Sequence, residues 1–361
     1  MMFRNQQFRI DKFWNLRLRN IMVSKYRSFE FHKTTSSCVL LLTFTYSTTE
    51  LNMPLPFVED IIKEKYEIEE CVGQGVYGCA FQVKDLDDKH FPKILKMSEL
   101  FNKFHEKAWK TEIRVLSKLE SQRSNLFVKY YESFKWKDEN VADQGQRFGC
   151  LVLSKGGVSL LESIDNTQLK KFSVPNVLKV GFALAKALEI LHNIGYLHRD
   201  LHENNILLRN PILPGAPVTL IDFGLCLNYR TRGGRRIIQM GNDVNLAGTL
   251  HSSLRTDEKR AYKESDDFES MLYALLTCSG QNPFCGSRAN VYAQKRDFHA
   301  HPEHYLGRTP WLLSIFLSIR NQIECSVWNS QKVLDAIAKS FYFNPEESVT
   351  HRVVEGKVII H

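Results

Sequence analysis

Two short runs constrain this 361-residue chain more than anything else in it. The first, LHRDLHENNILL at residues 197–208, sets Asp200 and Asn205 five residues apart between apolar flanks. The second, LIDFGL at residues 220–225, places Asp222 at the end of an apolar, strand-like run and ahead of Phe223 and Gly224. Asn205 and Asp222 carry hard oxygen donors of the kind that hold Mg²⁺. Asp200 carries a group that can accept a proton from a hydroxyl and align it. Either run could arise by chance; both in this order, with a plausible length between them, could hardly do so.

The upstream sequence supplies partners. Gly73-Gln74-Gly75-Val76-Tyr77-Gly78 lies between two strand-like runs, YEIEECVG and CAFQVKD. A dinucleotide site would need a helix straight after such glycines. A glycine loop between strands instead suits a flap whose N–H groups close on phosphates. A third run, PKILKMS, ends near Lys96, and a helical pattern from about Glu99 to Leu119 carries Glu112. Lys96 and Glu112 suit an ion pair that holds the lysine towards the α- and β-phosphates. Lys93 is in the opposite pleat phase and should face away. Read singly, each is blander: a turn glycine, a snorkelling lysine, a solvated glutamate.

In this order the runs resemble the eukaryotic protein kinases over about residues 66–340, and within them the casein kinase 1 group with its tau-tubulin kinase-like members. HRDLHENNILL, NLAGTLHSSL (245–254), ESDDFESMLYALL (264–276) and GGVSLLESI carry the narrower likeness. The resemblance implies an α+β, two-lobed kinase fold. A small β-rich N-lobe with one main helix (about 66–154) would meet a larger, mostly helical C-lobe (about 157–340) at SKGGVS, with a short tail at 341–361. It implies ATP and Mg²⁺ as cofactors. The nucleotide would be held by Val72, Gly73, Gly75, Gly78, Ala80 and Lys96, with Leu153 as gatekeeper and Ser154–Gly156 as hinge. Asn205 and Asp222 would hold the metal, Asp200, Lys96 and Glu112 would serve catalysis, Phe223 would pack near Leu116 and His198, and Asp267 would prop the catalytic loop. Thr249 would stand beside Asp200, as in Ser/Thr kinases, and Leu225 after D-F-G suits a preference for serine.

Four departures bear on activity. His202 stands where the group has a catalytic-loop lysine, so a proton that exchanges near neutrality replaces a fixed charge. His251 falls on an activation-segment arginine implicated in binding phosphate on primed substrates. Ala80 replaces the valine that would cover adenine, and RTRGGRR at 230–236 is unusually basic. The expected activity is transfer of the γ-phosphoryl group to Ser/Thr hydroxyls of proteins. The alternatives are a pseudokinase used as a nucleotide-binding or scaffolding module and a kinase of sugars or antibiotics, which GTLHSSL and DDFES oppose.

Composition limits the rest. With 43% apolar and 24% charged residues the chain is ordinary globular material. No apolar run approaches the roughly 20 residues of a membrane span. The net charge of +8 is uneven, since residues 1–52 carry eight Lys/Arg against three Asp/Glu. That is not the basic face of a nucleic-acid binder, but it favours acidic or phosphorylated protein partners; a monomer is expected. The basic stretch 1–52 reads as a disordered arm or an over-long start before Met53. Phe3, Phe8, Ile10, Phe13 and Leu16 would also suit an amphipathic transit peptide. The eight cysteines form no C-x-x-C, so reduced, mostly buried thiols in a cytoplasmic or nuclear protein are expected.

Overall fold

The computed structural model describes residues 58–75, 78–88, 91–137, 147–213, 215–230, 249–340, 343–344, 347–354 and 357–360. The expectations for residues 1–52, for Val76 and Tyr77, and for the basic run beyond Arg230 lie outside these residues.

The first lobe is built by alternation. Strands β1 (Ile61–Ile62), β2 (Tyr66–Gly75), β3 (Gly78–Asp85), β4 (Lys93–Glu99), β5 (Tyr130–Lys137) and β6 (Arg147–Ser154) form one antiparallel sheet in the order β1-β2-β3-β4-β6-β5. In β4 the pleat sends Lys93, Leu95 and Met97 to a buried face and Ile94, Lys96 and Ser98 to the other. Leu95 and Met97 join Tyr66, Ile68, Cys79, Phe81, Val83 and Phe148 in a core confined to this lobe.

Helix α1 (Lys103–Glu120) crosses the other face of the sheet. The sequence pattern starts this helix near Glu99; in the structure the strand takes Glu99 and the helix begins four residues later. Asn102 sets the boundary, its side chain accepting from the N–H groups of Phe104 and His105 at 2.8 and 3.0 Å. Trp109, Glu112, Val115, Leu116 and Leu119 recur at helical spacing on the buried side. Trp109 lies flat on Gly149 of β6, where a Cβ would stand 2.7 Å from its ring. This close approach clamps the helix and fixes where Glu112, one turn on, meets the sheet.

The larger lobe contains α2 (Leu160–Asp165), α3 (Val174–Asn193), α4 (Leu254–Asp257), α5 (Glu264–Cys278), α6 (Arg288–Ala300), α7 (Pro302–Leu306), α8 (Pro310–Arg320) and α9 (Ser330–Ala338). Helices α3 and α5 are buried nearly all round, as central helices must be. Leu184, Leu188 and Leu191 of α3 share one cluster with Phe268, Met271 and Leu275 of α5. Each such side chain contributes about 1.5–3 kcal/mol by leaving water. Short strands β7 (Val158–Ser159), β8 (Tyr196–Leu197), β9 (Ile206–Leu213), β10 (Ala216–Leu220) and β11 (Leu227–Asn228) carry the loops between the lobes, with β7-β9-β10 and β8-β11 paired.

The chain end carries structure of its own. Strands β12 (His351–Val354) and β13 (Lys357–Ile360) form a hairpin, and Val349 and Ile360 belong to the large core. Asn176 fastens the segment, donating from Nδ2 to the Thr350 carbonyl at 3.0 Å and accepting from its N–H at 2.9 Å. The described thiols are free and most are buried: Cys79, Cys150, Cys226 and Cys278 are buried, whereas Cys71, Cys285 and Cys325 are exposed. No helix among the described residues is long and apolar enough to cross a membrane.

Candidate active site

The pleat of β4 and the seat of Trp109 bring Lys96 and Glu112 together. Lys96 Nζ lies 2.9 Å from both Glu112 carboxylate oxygens and 3.0 Å from Asp222 Oδ1. Burial alone would lower the Lys96 pKa, but the charges of Asp222 and Glu112 outweigh it and hold it above the ordinary lysine value. Burial raises the Glu112 pKa, with Lys96 opposing and the Asp222 charge adding to the rise. One cation faces two carboxylates here, so net negative charge is left over. Lys93 points the other way, to Asp85 at 2.6 Å and Asp88 at 3.2 Å.

Asp200 and Asn205 sit on the loop after β8, with Asn205 closing a 3-10 turn over Glu203–Asn205. Asn205 Nδ2 donates to the Asp200 carbonyl at 2.9 Å and to its Oδ2 at 3.3 Å. The loop hangs from Asp267 of α5, which is fully buried. Asp267 accepts from the backbone N–H groups of His198 and Arg199 at 2.7 and 2.9 Å, from Tyr262 Oη at 2.8 Å, and contacts His192 Nε2 at 2.8 Å. Arg199 and Asp222 both hold left-handed backbone, with φ of 72° and 64°. For non-glycine residues this is costly and needs surrounding contacts to enforce it. The Arg199 N–H bonded to Asp267 is one such contact. The two segments are stitched by Ile221 N–H to the Asn205 carbonyl at 3.0 Å and by His198 Nε2 at 3.1 Å from the Ile221 carbonyl. Phe223 is buried between His198 and Phe127, ring centres 5.5 and 6.1 Å away, in the cluster that includes Leu116.

The donor set fits a hard divalent cation. The Asn205 Nδ2 is committed to Asp200, which leaves its amide oxygen as the ligating atom beside the Asp222 carboxylate. Burial opposes ionisation of Asp222, but Lys96 outweighs it and holds the carboxyl below the usual range. Among the described residues no cluster of three or more His, Cys, Asp or Glu forms a ready cage. Mg²⁺ takes one or two protein ligands of this kind and fills its shell with water and substrate phosphate.

The glycine hairpin joins β2 to β3. At Gly78 a Cβ would stand 1.9 Å from the Met97 carbonyl oxygen, so only glycine fits. Ala80 lies between Gly73 and Lys96 in register, on the Lys96 face of the sheet. Val72 is the extra residue of a bulge and is 46% exposed. Leu153 is buried opposite Ile94. Ser154 ends β6, and Gly156 is buried against Leu207.

His202 and Thr249 each make local contacts. His202 caps the 3-10 turn, its Nδ1 accepting from Asn204 N–H at 3.3 Å, and its Nε2 lies 3.9 Å from Asp200 Oδ1. Its ring is 5.3 Å from that of His251, whose Nδ1 is 3.4 Å from Glu203. Burial lowers the His251 pKa against the opposing pull of Glu203. Thr249 Oγ1 accepts from Ser252 N–H at 2.9 Å, and among the described residues no hydrogen bond joins it to Asp200. Lys295, fully buried, binds the Thr249 carbonyl at 2.7 Å and Asp257 at 3.0 Å. Lys295, Asp257, Tyr262 and His192 were not legible as site residues; each acts through partners on other elements.

Lys96→Met is expected to abolish most binding of a fluorescent ATP analogue, whereas Lys93→Met should reduce it far less, once both are shown folded. Equal losses, or a larger loss at Lys93, would reverse the assignment.

The description Protein kinase domain matches residues 66–297. A probable casein kinase I homologue of Encephalitozoon cuniculi (strain GB-M1) is 31% identical over 169 residues, which are 46% of this chain and 53% of that protein. The chain thus spans about half the length of that relative. The structure of vaccinia related kinase 3 superposes with a TM-score of 0.64 at 16% identity, covering 82% of this chain and 96% of the other, a likeness of fold. With a family match over most of its length and Lys96, Glu112, Asp200, Asn205 and Asp222 gathered at one site, the chain belongs to the protein kinase family.

Proposed function

We propose that the chain is an active Ser/Thr protein kinase of casein kinase 1 type, using ATP and Mg²⁺. The observation that carries this reading is the complete and mutually bonded set: Lys96 on Glu112 and Asp222, and Asn205 on Asp200. Bound Mg²⁺ supplies positive charge against phosphate oxygens. Lys96 presents a fixed cation to the nucleotide phosphates, and Glu112 stops it from swinging away. Asp200 accepts the proton of the incoming hydroxyl, with its backbone and carboxylate both held by Asn205. Asn205 and Asp222 offer the oxygen donors. The net charge of +8 favours acidic or phosphorylated protein segments as substrates.

The test is phosphoamino-acid analysis of casein after incubation with γ-labelled ATP and Mg²⁺. Labelled phosphoserine or phosphothreonine is expected. Label on tyrosine alone would overturn the Ser/Thr reading. A second reading, a pseudokinase, has His202 and His251 in its favour, since neither gives the fixed charge of a lysine or arginine. It requires nucleotide binding without incorporation of label.

A further inference from the structure

We propose that Cys71 and Cys79 are a paired modification site, a dithiol on the glycine hairpin that a peroxide closes to a disulfide. In β2 and β3, Cys71 is opposite Phe81, and Cys79 is two residues from Phe81 on the same strand. Period-two alternation therefore places both thiols on one face. Ala80, between them in phase, is opposite Lys96, so the pair lies on the face away from Lys96. The register shifts at Val72, between Cys71 and Gly73. Such a bulge twists the strands locally and alters diagonal spacing. Here the Cys79 and Cys71 side chains are in hydrogen-bond contact.

The two thiols differ in a way that assigns their roles. Cys71 is exposed and Cys79 is 2% exposed. The hydrogen bond to Cys71, together with burial, raises the Cys79 pKa, so Cys79 stays protonated. An accessible thiol beside a second one is the arrangement in which oxidation is captured reversibly. Of the other described thiols, Cys150, Cys226 and Cys278 are buried.

The chemistry balances with hydrogen peroxide as the named oxidant. The Cys71 thiolate sulfur attacks one peroxide oxygen, the O–O bond breaks, and the departing hydroxide takes a proton to become water. Cys71 is now a sulfenic acid. Cys79 sulfur then attacks the Cys71 sulfur as its proton passes to the leaving hydroxide, forming the S–S bond and a second water. The two sulfurs lose two electrons in total and the peroxide gains two. Excess external thiol reverses the step by exchange.

The full chain, treated with hydrogen peroxide, alkylated and digested with trypsin, tests this directly. Both cysteines fall in the peptide 66–84, bounded by Lys65 and Lys84. The expected result is loss of both alkylatable thiols, a mass lower by two hydrogens, and recovery of both thiols with dithiothreitol. Chymotrypsin, cutting after Tyr77, should yield two peptides joined through sulfur. Cys71→Ser should leave Cys79 alkylatable after peroxide. Cys79→Ser should leave Cys71 trapped by dimedone as the sulfenic acid; if that variant fails to fold, wild type and Cys71→Ser, altered at an exposed position, suffice. The proposal is overturned if both thiols remain alkylatable. It is also overturned if Cys71 goes to the sulfinic acid, another cysteine or a second chain while Cys79 stays free.

Discussion

Asp200→Asn is expected to slow phosphoryl transfer to protein by about 10²–10⁴-fold, the range a positioned proton-accepting group supplies. The fold should survive, because the Asp200 side chain is 35% exposed and meets His202 and Asn205 of its own loop. Asparagine keeps the shape and loses the basic oxygen, so nucleotide binding should change little while turnover falls. Measuring binding, rate and melting temperature on the same preparation separates these effects. A folded variant with most of the wild-type rate would mean that Asp200 does not handle the hydroxyl proton.

The largest structural effect is expected at Asp267. Asp267→Ala removes the shared acceptor of two backbone N–H groups and Tyr262, and strands His192 in the core. Removing one member of such a buried pair typically costs about 3–5 kcal/mol, which corresponds to a fall in Tm of roughly 10 °C for a domain of this size. Burial would raise the Asp267 pKa, but the bond and charge of His192, the His198 charge and the Arg199 N–H outweigh it and hold it low. A carboxyl with a depressed folded-state pKa gives its full stabilisation above the unfolded value, about 3.9. That stabilisation is lost as the pH falls through the lower folded value. The deficit of Asp267→Ala should therefore be constant near neutrality and shrink below about pH 4. Thermal melts across that range check it; a variant that melts within a degree or two of wild type at pH 7 would show that the loop does not depend on Asp267.

What the sequence made legible was local or periodic. Asp200, Asn205 and Asp222 could be read because five residues separate the first two and a short strand-like stretch leads to the third, and Lys96 was distinguished from Lys93 by pleat phase and by its spacing to Glu112. The helix over Glu112 was visible from its apolar face, but its start was not, because the Asn102 cap outweighs the helical pattern of the preceding residues. Asp267 came only from resemblance, since its partners His192, His198 and Arg199 lie on another stretch of chain. Thr249 came only from resemblance for a similar reason: the buried lysine that binds its carbonyl is Lys295, on α6. The β12–β13 hairpin was hidden because four-residue strands have too little pattern, and the amide that fastens it, Asn176, is in α3. His202 as a cap could not be inferred from a residue type that seemed only to replace a lysine.

The central claim is that the bonded set of Lys96, Glu112, Asp200, Asn205 and Asp222 performs phosphoryl transfer. The direct measurement is incorporation from γ-labelled ATP with Mg²⁺ into casein, wild type beside Asp222→Asn, both purified the same way and both shown folded. Asp222→Asn removes an anionic donor from the metal site and frees Lys96 from one of its two carboxylates. The account predicts clear labelling by wild type and at least about 10²-fold less by the variant. Equal labelling by the two proteins, or none by a folded, nucleotide-binding wild type, would contradict it.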